Sequence, residues 1–101
     1  MREAHPTDGW QVRANERDNV LVANHKTMEE REAAAKSCAA ELGLKIPIVM
    51  DGMDDAVEKA YAGWPDRIYI VDKAGKIAYA GAPGPAGFKP AEAKRALATL
   101  N

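Results

Sequence analysis

Cysteine is nearly absent: Cys38 is the single one in 101 residues. One thiol excludes an internal disulfide and any Cys-x-x-Cys pair within the chain, and it leaves the redox compartment open. Aromatic residues are scarce at 6%, so alanine and aliphatic side chains must carry the core. Neither sign of charge dominates. Fourteen Lys and Arg offset fifteen Asp and Glu for a net charge of −1. With no basic stripe there is no electrostatic case for nucleic acid or an anionic membrane surface. No apolar run approaches the roughly 20 residues of a membrane-spanning helix, and no segment reads as a signal peptide. The expected setting is therefore cytoplasmic. The length allows one domain, residues 1–101, near the low end of what can bury an adequate core.

What the chain does have is a clear order of elements. Residues 1 to 19 are polar, and Pro6, Asp8-Gly9 and the charged run Arg13 to Asp18 read as loop. Val20-Leu21-Val22 is a short apolar run. Thr27-x-x-Glu30 is a capping-box signature, predicting a helix from about Met28 to Leu42 with Gly43 as its stop. Ile46 to Met50 reads as an edge strand, because Pro47 cannot donate a ladder bond. Asp54 or Asp55 can cap a second helix that ends at Gly63. Arg67 to Val71 is the strongest strand, apolar on both faces and so expected to be central. Asp72-Lys73-Ala74-Gly75 turns the chain into a partner strand, Lys76 to Ala80. Pro90 suits the first turn of a last helix, on which Ala93, Ala96, Leu97 and Leu100 share one face. The fold class is α/β, a mixed sheet with flanking helices. The strand at 67–71 wants two neighbours and the hairpin supplies one, so an open sheet edge remains for a partner chain, such as a second copy.

Chemistry is concentrated at the start. Glu3 and His5 point the same way on an extended backbone, and such a pair can hold or pass a proton near neutral pH. Trp10 follows and His25 lies further on. Two histidines this far apart, with no cysteine near either, give no metal signature, and no metal is expected. The run Glu29-Glu30-Arg31-Glu32 reads as a solvated helix face, and Asp54-Asp55 as a cap, not a catalytic dyad. The Gly81 to Gly87 loop is no phosphate cradle, since its prolines lack amide donors.

Glu3-Ala4-His5-x-x-Asp8-Gly9-Trp10 resembles the iodothyronine deiodinase family. Further matches are Asn24-His25, Pro47-Ile48-Val49-Met50-Asp51, Arg67-Ile68-Tyr69-Ile70, Ile77-x-Tyr79 and Gly84-Pro85, so the resemblance covers essentially the whole chain in order. It implies a thioredoxin-like redoxin fold. It also implies a thiol- or selenol-dependent oxidoreductase, which reductively dehalogenates iodothyronine-like or related phenolic substrates. Glu3, His5 and His25 would be catalytic proton handlers, and Trp10, Trp64 and Pro65 would shape the substrate pocket. Trp64-Pro65 takes the place of the cis-proline loop of thioredoxin-like folds. No cofactor is implied for this chain; a thiol reductant, thioredoxin or glutathione, would restore the parent enzyme. The family places its selenocysteine or cysteine ahead of the Glu-Ala-His stretch. The chain therefore reads as N-terminally truncated, lacking the first strand and the nucleophile-bearing helix, and inactive alone.

Cys38 falls mid-helix, where it reads as a small hydrophobe, with a resolving redox thiol as the alternative. Pro83 stands near the place where some animal relatives carry a basic residue. Two other readings stay open: a peroxiredoxin- or thiol-disulfide-reductase-like redoxin, and a non-catalytic module that completes its sheet with another chain.

Overall fold

The computed structural model describes residues 7–9, 13–17 and 22–100. The chain divides into two compact units, Met1–Ala56 and Val57–Asn101. In order, the elements are α1 (Arg13–Arg17), α2 (Met28–Glu41), α3 (Ala56–Tyr61), β1 (Tyr69–Val71), β2 (Ile77–Ala80) and α4 (Pro90–Ala98).

In the first unit, α1 replaces part of the expected loop. Arg and Ala are good helix formers, and Glu16 in its first turn with Arg17 in its last suits the helix dipole. Thr27 caps α2 as predicted: its Oγ1 accepts from the Glu30 amide at 3.2 Å. At the other end Gly43, at φ 61, donates to Ala40 O, and Leu44 donates to Ala39 O. This pair of bonds is the Schellman closure, which requires the left-handed conformation that glycine adopts without steric cost.

The face of α2 corrects the sequence reading. Arg31 is buried, only 3% exposed. Its Nη1 donates to Asp51 O at 3.3 Å, to Gly52 O at 2.8 Å and to Asp55 Oδ1 at 2.9 Å. The guanidinium thus clamps the 51–55 loop to α2, and the loop delivers the chain to α3. Asp55 sits there at φ 53, a region that short polar residues tolerate better than most. Asp54 Oδ1 accepts from the Ala56 amide, as a cap should. Residues 46–50 form no ladder with any of the described residues, and Val49 is 90% exposed. Pro47 lacks a donor, which removes one rung that a strand there would need.

In the second unit, α3 ends one residue earlier than expected. Ala62, at φ 49, takes the left-handed position, while the Gly63 amide closes the turn on Glu58 O. Tyr61 and Tyr69 meet edge to face, centroids 5.2 Å apart, and the Tyr69 hydroxyl donates to Tyr61 O. β1 and β2 pair antiparallel, with Tyr69 opposite Ala80, Ile70 opposite Tyr79 and Val71 opposite Ile77. That register leaves Ala78 as an extra residue on β2, a bulge that bends the strand. Among the described residues the sheet is this two-stranded antiparallel ribbon rather than a mixed sheet, and β1 has one neighbour. α4 packs on both strands.

The core follows the composition. Ala35 and Ala93 are the buried apolar residues among those described. Leu97 and Leu100, expected on the core face of α4, are 56% and 37% exposed. A two-stranded ribbon is too narrow to cover them.

Asp72 organises the hairpin. Its Oδ1 accepts from the Ala74 amide at 2.8 Å and the Lys76 amide at 2.9 Å, while Gly75 turns at φ 78. Asp72→Ala removes both acceptors. It is expected to cost about 1–3 kcal/mol, read as a lower urea midpoint at unchanged slope; Asp72→Asn, which keeps an oxygen, should recover about half.

Candidate functional site

The site assembles in the first unit, from the chain leaving Asp8-Gly9 and the chain entering α2. The Thr7 amide donates to Val22 O at 2.8 Å, which lays the two segments side by side. One step further, the Asn24 amide donates to Asp8 Oδ1, also at 2.8 Å. On the other side of His25, the Lys26 amide donates to Glu30 Oε2 at 2.7 Å. Between these anchors His25 is half-buried, and its Nε2 is buried with no hydrogen-bond partner among the described residues. That nitrogen makes no bond to a backbone carbonyl among the described residues. An open cleft of about 460 Å³ lies here, bounded by Asp8, Asn24, His25, Lys26 and Glu30, with Ala33 and Ala34 of α2 as its apolar wall.

The electrostatics at the cleft favour an ionised Asp8. The Asn24 amide holds the Asp8 carboxyl below its ordinary value of 3.8, and Lys26 acts in the same direction. The charged form is therefore favoured in the folded chain. The stabilisation is fully present above the ordinary value and is lost as pH falls through the lower folded value. The Asn24 amide-proton resonance is accordingly expected to hold its position from neutral pH down to about 4 and to move toward the random-coil position below it. A midpoint above the ordinary value would contradict this bond. Farther along α2, Lys36 lies 2.8 Å from Glu32 and lowers that carboxyl in turn. This exposed pair lies away from the cleft.

Of the residues singled out from sequence, His25 lines the cleft. Glu3, His5 and Trp10 lie outside the described residues. Cys38 is half-buried mid-helix and does not line the cleft. Trp64 and Pro65 belong to the second unit, where their peptide bond is cis, as is Gly84–Pro85. There the Gly84 amide donates to Asp66 O at 2.9 Å. A side chain at Gly84 would meet the Asp66 carboxylate, which would have to turn aside. Asp8 and Glu30 went unremarked as site residues in the sequence. An Asx residue two places before a tryptophan and a glutamate in a capping box both look like ordinary loop and cap chemistry. Among the described residues no group of three or more His, Cys, Asp or Glu is arranged to hold a metal ion, and no helix is long and apolar enough to cross a membrane.

A histidine bracketed by two carboxylate-anchored amides at the edge of an open cleft is a candidate for acid–base chemistry. On these grounds the chain is an α/β protein with a candidate proton-transfer site. The family profile described as iodothyronine deiodinase matches residues 1–101. The type I iodothyronine deiodinase of Xenopus laevis is 38% identical over 90 residues, covering 89% of this chain and 33% of the relative. The type II iodothyronine deiodinase of Sus scrofa is 36% identical over 97 residues, covering 94% and 36%. The thyroxine 5-deiodinase of Gallus gallus is 32% identical over 92 residues, covering 91% and 34%. The chain belongs to the iodothyronine deiodinase family. It spans about a third of the length of the curated relatives it matches.

Proposed function

We propose that this chain supplies the proton-handling part of a thioredoxin-like oxidoreductase that reductively dehalogenates iodothyronine-like or related phenolic substrates. The observation that carries the reading is His25, whose Nε2 is buried without a partner among the described residues, at the edge of an open cleft. The family membership names the chemistry.

The reaction replaces a carbon–iodine bond with a carbon–hydrogen bond. Two thiols supply two electrons and become a disulfide; one of their protons goes to carbon, and the other leaves with iodide. A selenolate or thiolate takes the halogen, and the ring carbon needs a proton as the bond breaks. An imidazole is suited to both demands near neutral pH, since it can stabilise the anionic nucleophile as a cation and deliver a proton. In this reading Glu3 and His5 share the task with His25, Trp10, Trp64 and Pro65 shape the substrate groove, and thioredoxin or glutathione is the reductant.

The thiol present, Cys38, is half-buried within α2 and away from the cleft, so the nucleophile comes from outside these residues. The 101-residue chain mixed with an iodophenol and dithiothreitol is expected to release no iodide above the protein-free rate. The whole protein should release it with saturable kinetics. Turnover by the chain alone would overturn the placement of the nucleophile. Reduction of a peroxide but not of the iodophenol by the whole protein would move the assignment to a peroxiredoxin-like activity.

A further inference from the structure

The two carboxylates beside His25 are placed differently from ordinary caps. In a capping box, the glutamate returns to the amide of the N-cap residue itself. Here Glu30 reaches one residue further, to the Lys26 amide, which belongs to the peptide that follows His25. Asp8 takes the Asn24 amide, on the other side. Both carboxylates are themselves tied down. Glu30 stands in the first turn of a fourteen-residue helix and donates its own amide to Thr27 Oγ1. Asp8 follows Thr7, whose amide is bonded to Val22 O. The chain is thus pinned at the peptide that enters Asn24 and at the peptide that leaves His25, so the two anchors bracket a two-residue stretch and narrow the backbone freedom that sets where the His25 ring lies. Charge-assisted bonds of this kind are stronger than neutral ones.

We propose that Asp8 and Glu30 are positioning residues, which bracket the backbone at His25 and so set where its imidazole lies at the edge of the cleft. The proposal rests on His25 as the proton handler, but its test does not depend on activity. Neither carboxylate touches Nε2; each acts through a backbone amide, so each fixes where the ring is rather than what it does. A site that must place a proton donor within a few tenths of an ångström gains from such support, because misplacement costs rate steeply.

The test uses the ¹⁵N,¹³C-labelled 101-residue chain. In the unmutated protein, scalar couplings across the hydrogen bonds are expected from the Asn24 nitrogen to the Asp8 carboxylate carbon and from the Lys26 nitrogen to the Glu30 carboxylate carbon. Asp8→Ala is then expected to speed amide exchange at Asn24, and Glu30→Ala at Lys26, by about 10-fold each. In both, the His25 ring-proton resonances should move toward random-coil positions. Asp8→Asn and Glu30→Gln, which keep an oxygen acceptor, should restore most of the protection and of the ring shifts. The amides that close α2 in the same unit, Leu42 to Leu44, report whether that unit keeps its fold. Missing couplings in the unmutated chain overturn the proposal whatever the variants do. So do alanine variants in which the amides exchange faster while the His25 ring resonances stay where they were. His25→Gln leaves both bonds in place, so an unchanged dehalogenation rate in that variant would count against the functional reading and not against the bracket.

Discussion

Replacing Arg31 with leucine is expected to lower the unfolding free energy by about 3–5 kcal/mol. The guanidinium is 4% exposed and its partner Asp55 carboxylate 17%, so solvent screens the pair little. Leucine removes the charge and the bonds to Asp51 O, Gly52 O and Asp55 Oδ1 together. It takes the Arg31 cation from the Asp55 carboxylate and its donors from two carbonyls. The apolar area that leucine adds is worth about 1.5–3 kcal/mol at most, less than the loss, because the Arg31 stem already fills that space. Stabilities of small domains lie at about 5–15 kcal/mol, so the change should be plain as a large drop in urea midpoint.

The conservative variants divide the cost. Arg31→Lys keeps the charge but not the planar array of donors, and should recover less than half. Asp55→Asn keeps an acceptor and a residue that tolerates positive φ, and should cost about 1–2 kcal/mol. If leucine at 31 proves neutral, Arg31 is not the clamp of the 51–55 loop.

In the whole protein, His25→Gln is expected to lower kcat/KM for iodide release by about 10²- to 10⁴-fold, the usual worth of a positioned acid–base group. Glutamine keeps a polar side chain of similar reach without a group that titrates near neutral pH. Stability should change by less than about 1 kcal/mol, because Nε2 makes no bond among the described residues that the variant would break. This separation of a large rate effect from a small stability effect is the mark of a functional histidine. The opposite pattern, a destabilised protein with an unchanged rate per folded molecule, would make His25 a structural residue.

Much of the local structure could be read along the chain. Thr27, Gly43, the Asp72–Gly75 turn and Pro90 each act through backbone bonds within a few residues, so their effect hardly depends on what packs against them. The misreadings share another cause. Arg31 sits among three glutamates, and helix periodicity assigns such a run to solvent. Only the return of the 51–55 loop, twenty residues on, supplies the carbonyls and carboxylate that make burial favourable. Residues 46–50 have strand composition, but a strand exists only where a neighbour offers a ladder. Ala62, rather than Gly63, takes the left-handed position because the closing bond to Glu58 O sets where the helix must turn. The candidate site divides in the same way. His25 could be picked out as a chemical group, whereas Asp8 and Glu30 gain their meaning from amides that the fold brings within 2.8 and 2.7 Å.

The two ends of α2, the hairpin turn, the alanine-rich core and the family to which the chain belongs are properties of residue types in order, because capping, turn chemistry and composition act over short distances. The burial of Arg31, the single partner of β1 among the described residues and the two anchors beside His25 come from contacts between segments distant in sequence. Their energies depend on desolvation and geometry, which exist only once the chain has folded.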